Sequence, residues 1–326
     1  MGIILFMKVW VPLVAAAGTF GLAVWAAAQQ PQTQPPAKPP ATVEKADEQA
    51  NITVDVTRVQ MLFTVQDKHG RFVTDLGKDD FDVFENKRPQ RIEEFNAESD
   101  LPLRLAILID TSNSIRERFR FEQDAAVEFL KSVMRSAQDK AMVVSFDTKP
   151  ELITDLINNP DRLEDGIRRL RPGGGTALYD AIFYACRDKL AMDQPRHKFR
   201  RAMVVVSDGE DNQSDYTRDQ ALEMAQKADV VIYAISTNIT RTETDGDKVL
   251  RYLTQETGGQ AFFPFKVEDL EQSFENIANQ LTHQYNLLYR PEPLVTDGLW
   301  HTVQLRVKGR KDLVVRCRTG YYALKM

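Results

Sequence analysis

One short apolar stretch constrains the fold of this chain more than any other part of its sequence. Residues 105–109 are five apolar residues in a row, and Asp110 ends the run. Such a run is typical of a strand that is buried on both faces, as in a parallel sheet. A helical pattern follows over residues 119–134. The end of this strand therefore lies where ligands bind in open α/β sheets.

Strand and helix patterns alternate along the region from 103 to 281. This alternation predicts an α/β fold, with a doubly wound, mostly parallel six-stranded sheet and helices on both faces. The strand at 151–156 is expected to be an antiparallel edge. Strands are predicted at 105–110, 141–146, 151–156, 202–207, 230–236 and 260–265. Helices are predicted at 119–134, 161–170, 177–191, 219–228, 248–257 and 267–281.

The segments on either side of this region have a different pattern. Residues 51–99 and 284–326 alternate between apolar and polar side chains, which is typical of strands with one solvated face. The second segment is too short for a core of its own. We therefore expect the two segments to form one small β-sandwich, into which an α/β domain (100–283) is inserted. The alternative is two separate β-flaps that pack on the α/β domain.

The N-terminal 50 residues predict export. Residues 1–28 carry one charge, on Lys8, and an apolar stretch that ends in Ala-Ala-Ala before Gln29. This pattern predicts either a signal peptide that is cleaved or a membrane anchor that is kept, since about 20 apolar residues can span a bilayer. Both place the rest of the chain in the periplasm, on the cell surface or outside the cell. Residues 29–50 are rich in Pro and Gln, which predicts a disordered linker.

The composition narrows the functional classes. The chain has 326 residues, of which 43% are hydrophobic, so it is long enough for more than one core. Its formal net charge of −5 gives no reason to expect a nucleic acid as a partner. Cys186 and Cys317 are expected to be small buried hydrophobic residues, with a disulfide between them as the alternative.

Oxygen-bearing side chains stand at three predicted strand ends. Because the carboxyl ends of neighbouring parallel strands meet at one edge of a sheet, these side chains can converge on one point. Carboxylates and hydroxyls are hard ligands that suit Mg²⁺, Ca²⁺ or Mn²⁺. Hydroxyl ligands leave the charge of the ion incompletely neutralised, so the ion can accept a carboxylate from a partner. The residues are Asp110, Ser112, Ser114, Thr176 after three glycines, and Asp208.

These segments resemble the metal-ion-dependent adhesion site of von Willebrand factor type A domains. The resemblance rests on Asp-x-Ser-x-Ser, Gly-Gly-Gly-Thr and Val-Ser-Asp-Gly, and it covers roughly residues 103–281. It implies that the serines and Thr176 coordinate the ion directly or through water. It also implies that the aspartates coordinate the ion or hold its waters, and that the helix at 267–281 shifts when a ligand binds.

The whole chain further resembles a family of exported bacterial proteins, best known from Acidobacteria, that have a core related to von Willebrand factor A. The stretches that support this wider resemblance are 79–86, 285–289 and 318–322. The family implies an exported location and no established activity.

Simpler structural roles are the alternative for these polar residues. Aspartate and serine at strand ends can cap the following helices without a metal. Asp180 is expected to stabilise the first turn of its helix, with a supporting role at the metal as the alternative. Asp211 is expected to be a solvated loop residue, and Asp147 a turn residue.

The predicted function is binding without catalysis. The module would capture an Asp or Glu of a partner protein through its metal, outside the cytoplasm. One alternative is a structural component of the cell envelope, in which the metal only stabilises the fold. A metal-assisted hydrolase is the third alternative, but the four histidines fall outside the three segments. A nucleophile elbow and a phosphate-binding loop are absent from the sequence. We therefore predict no catalytic residues and no organic cofactor.

Overall fold

The computed structural model describes residues 58–97, 100–113, 119–240 and 242–325. The predicted signal peptide or anchor, the predicted linker and Ser114 lie outside these residues. Within the described ranges, none of the helices has the length and apolar character needed to cross a membrane.

The strands and helices follow one another in the alternating order that the sequence predicts. In the first half of the chain they are β1 (Val59–Gln66), β2 (Phe81–Glu85), β3 (Arg88–Gln90), β4 (Ile92–Asn96), β5 (Leu103–Asp110), α1 (Phe119–Val133), β6 (Lys140–Phe146), β7 (Pro150–Ile157) and α2 (Pro160–Arg169). The second half contains α3 (Leu178–Tyr184), β8 (Arg200–Ser207), α4 (Arg218–Lys227), β9 (Val230–Ser236), α5 (Asp245–Thr257), β10 (Ala261–Phe262), α6 (Val267–Thr282), β11 (Tyr285–Tyr289), β12 (Trp300–Val307), β13 (Val314–Cys317) and β14 (Gly320–Tyr322).

A six-stranded sheet forms the centre of the α/β region, in the order β10-β9-β8-β5-β6-β7. All neighbouring strands are parallel except β7, which pairs antiparallel with β6 at the edge. Every residue of β5 is buried. The uninterrupted apolar run therefore reflects a strand that is covered on both faces. The predicted fold class is confirmed.

Helices cover both faces of this sheet. Successive side chains of a strand point to opposite faces, so Ile107 packs in one core and Leu108 in the other. The first core contains side chains of α1, α2 and α6, and the second contains side chains of α3, α4 and α5. Each face of the sheet is thus covered by the apolar sides of three helices.

Capping residues set the ends of several helices. The side chain of Asn159 accepts the N–H of Arg162 at the start of α2. At the start of α5, Thr244 and Asp247 form a capping box, which begins this helix three residues before the predicted start. Gly258 ends α5 with a φ of 88°, a left-handed conformation that favours glycine.

The predicted helix over 177–191 is only partly regular. The α-helix ends at Tyr184 and continues as a π turn over Ala185–Lys189 and a 3-10 turn. After the π turn the buried guanidinium of Arg201 binds the backbone, since its Nε donates to Leu190 O at 2.8 Å and its Nη2 donates to Asp193 O at 2.5 Å. These carbonyl groups turn toward Arg201 instead of closing another helical turn.

Two four-stranded antiparallel sheets are built from the segments on either side. One has the order β13-β1-β11-β4, and the other has the order β14-β12-β2-β3. Each sheet combines strands from both ends of the described chain, as predicted for one β-sandwich. Their apolar faces share one core, in which the ring of Phe63 contacts those of Phe81 and Tyr285. The structure does not support the alternative of two separate flaps.

Candidate metal centre

The candidate metal centre lies where β5 and β8 end side by side. The two strands are parallel, with Ile109 paired to Val206. The chain leaves β5 toward β6 and later returns to β8 on the opposite side of β5. A crevice forms at such a switch point, at the carboxyl ends of the strands.

Asp110 is fully buried at the end of β5. Its Oδ1 accepts the backbone N–H of Ser112 at 2.8 Å, and its Oδ2 accepts the hydroxyl of Ser207 at 2.7 Å. Burial raises the pKa of Asp110 from 3.8 to about 6, although the hydrogen bonds from Ser112 and Ser207 oppose this rise. The charge of Asp208 raises the pKa further. A cation beside Asp110 would favour its ionised form.

Asp208 follows β8 and is half-buried. Its Oδ1 accepts the N–H of Glu210 at 3.1 Å. The next residue, Gly209, has a φ of 81°, and a Cβ there would lie 2.2 Å from the carbonyl oxygen of Gly246 in α5. Only glycine therefore allows this loop to lie directly against the start of α5.

The glycine loop before Thr176 is held against the end of β5. Gly173 donates its N–H to Thr111 O at 2.5 Å, and Asn113 Nδ2 donates to Gly174 O at 3.1 Å. Gly174 has a φ of 85°, and a Cβ there would lie 2.8 Å from Cγ of Asp147. The left-handed backbone and this close contact explain why a glycine stands at position 174.

Thr176 itself is buried and is held from the side of β8. Its carbonyl oxygen accepts the N–H groups of Asn212 at 3.0 Å and Gln213 at 3.1 Å. Its own N–H donates to Asn212 Oδ1 at 3.1 Å. Thr176 is thus fixed between the segments that follow β5 and β8.

Asp110, Ser112, Thr176 and Asp208 therefore lie at one edge of the central sheet. Ser114 lies outside the described residues. All of these side chains offer oxygen, and two are carboxylates, which is a donor set that fits a hard divalent cation. Among the described residues no group of three or more His, Cys, Asp or Glu side chains could hold a metal. The candidate set is of a different kind, because hydroxyls make up more than half of it.

Sequence reasoning missed several residues around this centre. Ser207 orients Asp110, and Asn212 holds Thr176 in place. The only sequence signal for Ser207 is a hydroxyl residue at the last position of an apolar strand. Asp211 is not a solvated residue as predicted, since its Oδ2 accepts the N–H of Tyr179 at 2.9 Å and so caps α3.

Residues 105–210 match the family model of the von Willebrand factor type A domain. This segment is part of a von Willebrand factor type A domain. The matched segment includes all five candidate metal ligands and ends two residues after Asp208. Domains of this type typically mediate protein–protein adhesion.

Several solved structures are similar to this chain at low sequence identity. The PilB minor pilin from Streptococcus sanguinis is 14% identical, with 56% of this chain and 62% of the pilin covered and a TM-score of 0.45. The von Willebrand factor domain of the type V pili tip protein Mfa5 from Porphyromonas gingivalis is also 14% identical, with 56% of this chain and 95% of that domain covered and a TM-score of 0.46.

A third similar structure is proximal thread matrix protein 1 from the mussel byssus with a zinc-occupied MIDAS motif. It is 16% identical, with 58% of this chain and 48% of the byssus protein covered and a TM-score of 0.48. The chain thus spans less than two thirds of the pilin and about half of the byssus protein. No curated protein matches the sequence significantly. The comparisons do not support the wider resemblance to the exported acidobacterial family.

Proposed function

We propose that this chain is a non-catalytic, extracytoplasmic adhesion module that captures an acidic residue of a partner protein through a divalent cation. The observation that carries the proposal is the buried carboxylate of Asp110, which Ser112 and Ser207 orient beside Asp208 at the switch point of the sheet. The apolar pattern of residues 1–28 supports a location outside the cytoplasm.

The ion would be Mg²⁺, Ca²⁺ or Mn²⁺, and when bound it would act as a Lewis acid toward the partner's carboxylate. The two carboxylates would formally balance the ion's charge of +2, but the hydroxyl oxygens are weak electron donors to the ion. The ion would therefore keep an affinity for a carboxylate of the partner. The residues that would hold the ion are Asp110, Ser112, Ser114, Thr176 and Asp208.

The surrounding residues would prepare this site before any partner arrives. The hydrogen bonds to Asp110 fix the orientation of its carboxylate, and its burial excludes bulk water. The side-chain oxygen of Asn212 accepts the backbone N–H of Thr176 and so fixes the end of the glycine loop. Pre-organisation of this kind lowers the cost of binding, since fewer side chains have to be ordered.

A capture experiment tests this function. The exported chain is immobilised and exposed to a cell-envelope extract in Mg²⁺, and retained proteins are eluted with EDTA. We expect EDTA to release a specific partner that the Asp110→Ala variant does not retain. The control is Asp219→Ala, which removes an exposed carboxylate outside the centre. Retention that is unchanged in EDTA, or in Asp110→Ala, would contradict the proposal.

A purely structural metal is the second candidate function. It is favoured by the burial of Asp110, because a cation there would relieve an unfavourable charge in the fold. In this case metal would raise the melting temperature, and no partner would be released by EDTA. Catalysis finds less support, since the described residues that form the centre include no histidine or cysteine to act as a base or nucleophile.

A further inference from the structure

A cavity of about 460 Å³ opens beside the candidate metal centre. The buried residues Thr111, Ser145 and Leu170 line it, and Thr111 lies between Asp110 and Ser112 in the sequence. The other lining residues come from the β6–β7 turn, from β7 and from the end of α2. A cavity of this size is within the range of small-ligand sites, so it can accept side chains of a bound peptide.

Three cations line this cavity. Lys149 lies on the turn before β7, and Arg169 and Arg171 lie at the end of α2. Within the described ranges, none of these three forms an ion pair with a carboxylate. Arg168 differs from them, because it contacts Asp124 at 2.5 Å and Glu164 at 2.9 Å. The basic residues of this helix end are thus divided between those with carboxylate partners and those facing the cavity.

The carboxylates of Asp147 and Glu151 also line the cavity, so the lining carries three positive charges against two negative ones. Asp147 accepts the N–H of Thr148 and lies against Gly174. Arg171 uses its Nη1 to donate to the carbonyl oxygens of Arg168 and Leu170, at 3.0 and 2.7 Å. Lys149 and Arg169 are therefore the cations with the greatest freedom to meet an incoming anion.

We propose that this cavity is a second acidic subsite for the same partner. One carboxylate of the partner would bind at the metal, and a second would enter the cavity beside Arg169 and Lys149. This inference rests on the proposed function, since the first carboxylate would be held by the ion bound at Asp110, Ser112, Ser114, Thr176 and Asp208.

The sheet sets the spacing between the two acids. Neighbouring strands lie about 4.8 Å apart, so the cavity, which lies at the end of β6 and the start of β7, is about 5–10 Å from the end of β5. An extended peptide advances about 3.3 Å per residue. The partner is therefore a segment in which two acidic residues stand about two or three positions apart.

Three fluorescent peptides of equal length test the subsite. The first carries two aspartates two positions apart, and the second has one of them replaced by asparagine. The third carries two aspartates six positions apart, which preserves the charge but exceeds the reach of the cavity. We expect the first peptide to bind the Mg²⁺-loaded wild-type chain about 3- to 5-fold more tightly than the other two. EDTA should abolish the binding of all three.

Charge reversals on α2 provide the matched comparison. Arg169→Glu should remove the advantage of the first peptide, and so should Lys149→Glu, which changes the cation on the turn before β7. Arg162→Glu makes the same change of charge on the same helix, at an exposed position outside the cavity. It should leave the advantage intact.

Each contrary result has a distinct meaning. Equal binding of the three peptides, still abolished by EDTA, would overturn the subsite and leave metal capture standing. The subsite would also fall if Arg162→Glu acted as strongly as Arg169→Glu. Binding that ignores EDTA, or no binding of any peptide at about 5 mM, would overturn the proposed function as well.

Discussion

The buried carboxylate of Asp110 lowers the stability of the folded chain at neutral pH but favours the binding of a cation. It is fully buried, and its partners in the metal-free chain are hydroxyl and amide groups of no net charge. Burial raises the pKa of Asp110 to about 6. At neutral pH the folded chain therefore holds a charge that the unfolded chain would expose to water. Such a conflict is common at functional sites.

Asp110→Asn should stabilise the metal-free protein at neutral pH. The folded chain binds a proton at Asp110 more tightly than the unfolded chain, so this group's favourable contribution is fully present below about pH 4 and is lost as the pH rises through about 6. A rise of about two pKa units corresponds to about 3 kcal/mol at most. Urea unfolding in EDTA at pH 8 and pH 4 measures the difference, which should vanish at the lower pH. A variant less stable than wild type at pH 8 would contradict this account.

A second buried carboxylate, Glu85, lies in the core of the two antiparallel sheets. His301 Nδ1 lies 2.8 Å from its Oε1, and Tyr289 donates its hydroxyl to Oε2 at 2.9 Å. Burial, together with the charge of Glu85, raises the pKa of Tyr289 and of Tyr321. Since removing one member of a buried polar group leaves the others without partners, we expect Glu85→Leu to cost about 3–5 kcal/mol of stability. Thermal unfolding measures the effect, and Glu94→Leu at an exposed position of β4 should cost less than about 1 kcal/mol.

At the scale of elements, the loop that carries Asp208 and the turn after β1 both need a glycine with a positive φ, but for different reasons. Gly209 combines a φ of 81° with direct backbone contact to Gly246 of α5. Gly70 has a φ of 79°, and a Cβ there would meet nothing within 4 Å. The two positions therefore separate backbone strain from steric contact.

Gly209→Ala should weaken metal binding, whereas Gly70→Ala should not. Both variants incur the cost of a left-handed alanine, about 1–2 kcal/mol. Only Gly209→Ala must also push α5 away from the loop that carries Asp208, so its loss of stability should be larger. Calorimetric Mg²⁺ titrations and melting curves of both variants test this. Equal metal affinity and equal melting temperature of the two variants would show that the contact of Gly209 with α5 affects neither property.

The sequence specified these elements unevenly. The apolar runs before Asp110 and Asp208 revealed the two central strands, because strands buried on both faces leave a continuous pattern. The π turn after Tyr184 was not predicted, since the local sequence pattern is that of a continuing α-helix. Likewise, Ser207 donates to Asp110 although the two residues are 97 positions apart in the sequence, and a local pattern cannot predict such a contact.

At the scale of the whole molecule, the ends of the described chain depend on each other. β1 lies between β13 and β11, and β2 lies between β12 and β3. Only two residues separate the end of α6 from the start of β11, so the α/β region leads directly into the antiparallel sheets. Arg318, near the C-terminal end, links β1 to the α/β region, since it donates to Gln60 O at 2.6 Å and contacts the carboxylate of Asp229.

A chain that ends at residue 283 should lose the fold of residues 58–97 but keep the central sheet. Without β11–β14, the strands β1 and β4 lose every neighbour in their sheet and β2 keeps only β3. An isolated two-stranded hairpin is marginal in water. Limited trypsin digestion should remove 58–97 rapidly and spare 100–283. Equal resistance of both parts would mean that the N-terminal strands fold without their C-terminal partners.

The most direct test of the central claim is calorimetric titration of the purified chain with Mg²⁺ and with Mn²⁺ near neutral pH. The account predicts one ion per chain, with affinity reduced at least about tenfold in Asp110→Asn and in Asp208→Asn and unchanged in Asp219→Asn. Undiminished binding in both Asp110→Asn and Asp208→Asn, or no binding by the wild-type chain, would contradict it.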